Sequence, residues 1–130
     1  MIANEILELV HGPEKAGERL NELVDQFRQG RDPEELTTLL WSHDDEVVSI
    51  AAWILSELPE VLYNNARIVS QLRALTEHAK APIRFHAFSA LYPLLGATDP
   101  ATKALLTRML SDPNDGVRKI AEAAAGRLGV

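Results

Sequence analysis

Apolar residues return along this chain at intervals of three and four, the spacing that lines one face of an α-helix. After the polar run Ser111-Asp112-Pro113-Asn114-Asp115-Gly116, the stripe Val117, Ile120, Ala121, Ala124 and Leu128 predicts such a helix. The pattern recurs 34 residues upstream as Ile83, His86, Ala87, Ala90 and Leu94, and 36 residues further upstream as Val47, Ile50, Ala51, Ile54 and Leu58. Arg84 aligns with Arg118, and Val48 stands at the same place in the earliest stripe. Before each stripe lies another apolar helix, ending at Leu40, Leu75 and Leu110, spaced 35 apart. The pattern predicts three consecutive helical hairpins. Hairpins repeated at this period bury their faces on one another, so an all-α stacked array is expected.

The turn residues fall in step with that period. Asp32-Pro33 and Asp99-Pro100 each set an N-cap acid before a proline at the first helical position, where the missing N–H costs nothing, and so open first helices. Pro59 and Gly96 read as stops that close second helices, and Asp112-Pro113 breaks the last hairpin. Pro82 falls in the first turn of its helix, and Pro93, near the end of the same helix, predicts a mild kink. The N-terminal part reads as a short helix to about Val10, a turn at Gly12-Pro13, and a longer helix carrying Leu20, Leu23, Val24 and Phe27. It matches the repeat poorly, as a terminal unit facing water does. The expected organisation is one domain over 1–130, with an N-terminal capping hairpin at 1–31 and units at 32–59, 60–96 and 97–130.

The run from Leu110 to Arg118, with Asp-Pro, then Val-Arg, then an alanine-rich second helix, resembles a HEAT repeat, and the resemblance extends over residues 32 to 130. Val48 replaces the arginine of that pattern in the first unit, and Ser42 its aspartate. The resemblance implies an α-solenoid of antiparallel hairpins in a right-handed superhelical arrangement, with second helices lining a surface that holds other macromolecules. It also implies that Arg84 and Arg118 bond turn carboxylates or carbonyls.

Composition narrows the function. The chain has 130 residues, 46% of them apolar and 25% charged, which excludes a disordered, fibrous or membrane-spanning protein. With no cysteine there is no disulfide, thiolate metal site or cysteine nucleophile. The first ten residues carry Glu5 and Glu8 and no early base, so a secretory signal is not expected and the cytoplasm is the expected compartment. The net charge of −6 divides unevenly: residues 1–62 hold fourteen acids and four bases, residues 63–130 five acids and nine bases. No phosphate loop, nucleophile elbow, paired-histidine zinc helix or calcium loop occurs. His43-Asp44-Asp45-Glu46 reads as a helix cap with dipole-complementing acids rather than a metal site. His86 sits on an apolar stripe and reads as a partly buried structural histidine. No catalytic residue, cofactor or metal is expected, and an enzyme is not.

Helical geometry then marks a binding surface. At 100° per residue, Trp53, Phe85, Phe88 and Tyr92 fall on the side away from their stripes, so all four of these aromatics are expected to face outward. Exposed aromatics rimmed by charge make interface centres. The candidate partner-binding set is Ser49, Trp53, Phe85, Phe88, Ser89, Tyr92 and Lys119, with Asp45 and Glu46 as an acidic edge. Trp41, next to Leu40, is expected to pack inward. These features fit a noncatalytic protein-binding module or adaptor, a monomer or weak homodimer, and the acidic first half suits a basic partner, as in immunity proteins that cover a toxin. The alternatives are nucleic acid held by Lys80, Arg84, Arg108, Arg118, Lys119 and Arg127, or an accessory subunit similar to the HEAT-like phycobilisome lyases.

Overall fold

A computed structural model describes residues 5–6 and 16–130. Its helices are α1 (Ala16–Arg28), α2 (Asp45–Ser56), the single turn α3 (Pro59–Leu62), α4 (Ala66–Leu75), α5 (Ala81–Leu91), α6 (Pro100–Leu110) and α7 (Asp115–Leu128). Tight 3₁₀ turns occupy Pro33–Leu36, Leu39–Trp41 and Tyr92–Leu94, and no strand occurs among the described residues. No described helix is long and apolar enough to cross a membrane. The chain is an all-α stack of helical hairpins, as the periodicity predicts.

Helices α2, α4, α6 and α7 begin where a side chain takes up a free backbone donor, whereas α3 and α5 have proline in the first turn instead. Asp44 accepts from the Glu46 N–H at 3.0 Å, Asn65 from Ile68 at 3.2 Å, Asp99 from Ala101 at 3.0 Å and Asn114 from Val117 at 3.1 Å. At its C-terminus α7 is closed by Gly129 at φ +73°, with the Val130 N–H returning to the Ala125 carbonyl, a left-handed cap that only glycine takes without strain.

Several local expectations are corrected. The expected first helix over 32–40 is two 3₁₀ turns. Asp32 and Pro33 do open it, but the Thr37 hydroxyl donates to the Glu34 carbonyl at 2.8 Å, and two adjacent threonines disfavour α-helix. The 3₁₀ spacing still brings Leu36 and Leu39 onto one side, and with Leu40 both are buried. Pro59 does not simply stop a helix; it stands at the first position of α3. Pro93 does more than kink: α5 ends at Leu91, because proline lacks the donor and crowds the preceding turn, and the chain tightens into the 3₁₀ turn. Of the expected short N-terminal helix only Glu5 and Ile6 are described, both helical; Gly12-Pro13 lies outside the described residues. Glu5 is held at 2.7 Å by Arg31, which also grips Glu35 at 2.8 Å and lies over the Phe27 ring. These hydrogen bonds hold both carboxyls below their ordinary range.

Two layers result. In one, α5 packs between α2 and α7, and Ala51, Ala52, Ala87, Ala90, Ala121 and Ala124 of these helices are all buried. Such residues let helix axes approach closely. In the other layer α4 and α6 each pack on their own second helix but barely touch one another. The stripes are as predicted for Val47, Ala51, Ile54, Leu58, Ile83, Ala87, Ala90, Val117, Ala121 and Ala124, all nearly inaccessible, while Ile50 and Ile120 are half-buried. The buried arc of α2 is wider than one stripe. It includes Val48 and Ala52, since α2 meets α1 and the Leu39–Trp41 turn as well as α5.

Candidate partner-binding face

The turns inside the hairpins share a backbone design built from three different side chains. Ser42 Oγ accepts from the Asp44 N–H at 3.1 Å, His78 Nδ1 from Lys80 at 3.0 Å, and Asp112 Oδ1 from Asn114 at 2.9 Å. Acceptance at Nδ1 leaves a neutral His78 with its proton on Nε2, which lies 3.6 Å from Asp45 Oδ1. Arg84 reaches from α5 into the next hairpin and pairs with Asp112 through two bonds of 2.8 and 2.9 Å, while also donating to the His78 and Ala79 carbonyls. This pair is nearly dry, at 13% and 7% side-chain exposure, and the guanidinium holds the Asp112 carboxyl below its ordinary range. Arg118 donates to the Asp112 carbonyl at 2.7 Å and pairs with Asp115. Both arginines therefore bond turn carboxylates and carbonyls, as the resemblance implies.

A model of HEAT repeats matches residues 33–126, most of the chain and all of this turn architecture. The chain belongs to the HEAT-repeat family. No curated protein and no solved structure matches it. In a HEAT-repeat chain the second helices, here α2, α5 and α7, form the layer that carried the candidate residues, and HEAT repeats generally mediate protein–protein interaction.

The structure places those residues unequally. Asp45 and Glu46 are exposed on the first turn of α2, and Ser49 and Trp53 are half-buried further along it. On α5, Phe85 and Ser89 are half-buried, and the edge of the Phe85 ring meets His86 with centroids 5.6 Å apart. Phe88 is not on the surface: it is fully inaccessible. The angular argument treats α5 as if only one face were covered, whereas α2 and α7 cover both flanks and Phe88 fills one of them. Tyr92 is half-buried and already engaged. Its ring meets the Phe88 edge, its hydroxyl donates to the Ala123 carbonyl at 3.3 Å, and Arg127 stacks on it at 4.5 Å while donating to its carbonyl. Lys119 is exposed on α7. The outward strip common to the three helices is thus Ser49, Ile50 and Trp53, then Phe85, His86 and Ser89, then Lys119 and Ile120. Ile50, His86 and Ile120 were assigned to the inward stripe, yet each stands at its edge and keeps a half-exposed side.

Trp41 corrects the opposite way. Expected to pack, it is 56% exposed at the end of a 3₁₀ turn. The repeat gives no clear signal for this, since the step of 35 that aligns Leu40 with Leu75 aligns Trp41 with Thr76, which is buried, and with Ser111, which is exposed. Half-burial of His86 pushes its imidazole below the ordinary value, so it stays neutral in the layer. Among the six cations of the nucleic acid reading, Arg84, Arg108, Arg118 and Arg127 all donate to groups of the chain itself.

Proposed function

We propose that this HEAT-repeat chain is a noncatalytic module that holds a protein partner against α2, α5 and α7. The observation that carries the reading is the strip from Trp53 to Phe85. Two large aromatic side chains on neighbouring helices keep partly open faces, flanked by small hydroxyl residues that leave room for a partner. Rigid rings already braced from below lose little entropy on binding, which is what interface centres require. Asp45 and Glu46 place exposed acids on the first turn of α2, and Lys119 and Arg127 place bases on α7. A partner with a basic edge is therefore steered onto α2 in one orientation. Within that class the reading extends to an immunity-type role in the cytoplasm, in which the chain covers and silences a basic toxin domain.

A photoreactive amino acid at position 89 tests it. Irradiation in cytosolic extract is expected to give one dominant protein adduct by mass spectrometry. Ser89→Arg, a change at a half-open position, is expected to weaken capture of that partner roughly tenfold without altering the helical spectrum. Adducts that disappear on nuclease treatment, with affinity falling steeply as salt rises, would replace the protein partner by nucleic acid.

A further inference from the structure

The first-helix layer holds a second recessed surface, on the other side of the stack from the face just described. α4 and α6 barely touch one another, and a shallow furrow runs along them. Three open hollows with shared lining residues follow one another there, the first on α4 and the link after α5, the other two between α4 and α6. At the end nearest the link between hairpins, Leu62, Tyr63, Val69 and Leu94 line a hollow of about 410 Å³ that reaches Arg73. Arg73 also bounds the middle hollow, about 300 Å³, whose floor is Ala74, Ala101, Ala104 and Leu105. Glu77 and Arg108 then join it to a third of about 620 Å³ beside His78 and Pro113.

The charges along this furrow are asymmetric. Arg84 is neutralised by Asp112, and on the outer side of α4 Arg67 pairs with Glu34. The Arg73 guanidinium makes no hydrogen bond or ion pair with any described residue, and that of Arg108 donates only to the Thr76 hydroxyl, at 2.6 Å. Glu77 is the one acid between them that is not already paired. Arg73 and Arg108 thus outnumber Glu77 in the middle hollow, and Arg73 also bounds the apolar hollow walled by Tyr63, which is 65% exposed although its hydroxyl donates to the Pro93 carbonyl. A guanidinium recognises carboxylate with two parallel bonds, and an open apolar hollow seats an aliphatic side chain. The ten residues of α4 span about 15 Å, the reach of about five residues of extended chain.

We propose that the α4–α6 furrow docks an extended peptide segment with an aliphatic residue in the Tyr63–Leu94 hollow, followed by a carboxylate side chain on Arg73. This surface is independent of the partner face on α2, α5 and α7.

The probe is a fluorescein-labelled, N-acetylated peptide, Leu-Leu-Glu-Ala-Glu-Ala-Gly, titrated into the full chain by anisotropy, with amide shifts mapped by NMR. Saturable binding tighter than about 100 μM is expected, with shifts concentrated in residues 66–75 and 100–110. Arg73→Glu is expected to weaken it at least roughly tenfold, with Arg73→Lys intermediate. Ala104→Trp, at an exposed position in the middle hollow, is expected to block it, while Trp53→Ala with Phe85→Ala leaves it unchanged. The proposal is overturned if a peptide with lysines in place of the glutamates binds equally well, if the shifts map to α2 and α5, or if nothing saturates by about 1 mM. Loss of extract capture in Ser89→Arg with peptide binding intact separates the two surfaces.

Discussion

The two junctions between successive hairpins solve the same packing problem with opposite chemistry. Between the second and third, Arg84 crosses from α5 to Asp112 in a nearly dry pair and simultaneously fastens the His78 and Ala79 carbonyls. Between the first and second, the residue equivalent to Arg84 is Val48, which is buried against the core, and the residue equivalent to Asp112 is His78. Contact there is apolar, supplemented by the open 3.6 Å approach of His78 to Asp45. In all three turns the acceptor of the backbone N–H survives, as serine, histidine or aspartate. The backbone turn is thus the invariant physical requirement, and the charged clamp is an addition that only one junction carries.

Breaking the clamp gives the largest expected effect. Arg84→Met leaves the Asp112 carboxylate and two carbonyls without their buried donor, and a loss of about 3–5 kcal/mol is expected in urea unfolding. A loss under about 1 kcal/mol would mean that the two junctions are equivalent after all. Next comes transplantation. Val48→Arg alone buries a guanidinium opposite a histidine, and a cost of about 3 kcal/mol is expected; adding His78→Asp should restore much of it. A double-mutant cycle measures that coupling, and additive losses would show that the first junction has no space for the clamp.

Acid sharpens the contrast further. Burial lowers the folded pKa of His86 below its ordinary 6.5, so its contribution to stability is complete above that value and declines as the pH falls toward the folded pKa. The Asp112 carboxyl is also depressed, from 3.8, by Arg84, so its contribution persists to more acid conditions and is lost only as pH falls through its folded value. Stability curves against pH should show the milder limb vanish in His86→Gln and the acid limb shrink in Arg84→Met. The smallest effect is expected at Tyr92→Phe, where loss of the hydroxyl bond to Ala123 costs about 1 kcal/mol or less in the same unfolding assay.

The stacking was legible from the stripes because a helix buries one side whatever its partner. Val47, Ile83 and Val117 fall on the core for that reason. Residues on the flanks were not legible in the same way. Phe88 and Trp53 have similar angular credentials, yet Phe88 lies in a helix with neighbours on both sides and is sealed, while Trp53 retains an open face. The 33–41 segment carries apolar residues at helical spacing, but two threonines and a proline at its start shift the hydrogen bonds to the tighter turn. In the candidate face, Ser49, Phe85, Ser89 and the acids of α2 could be placed from the periodicity alone. The α4–α6 furrow could not, because it depends on how far apart two helices stand, and no stripe on either helix records that distance.

The buried alanines have a mechanical corollary. Ala87 and Ala121 are fully inaccessible, so one added methyl at either has nowhere to go and must push its helix outward, a displacement that the rest of its hairpin follows.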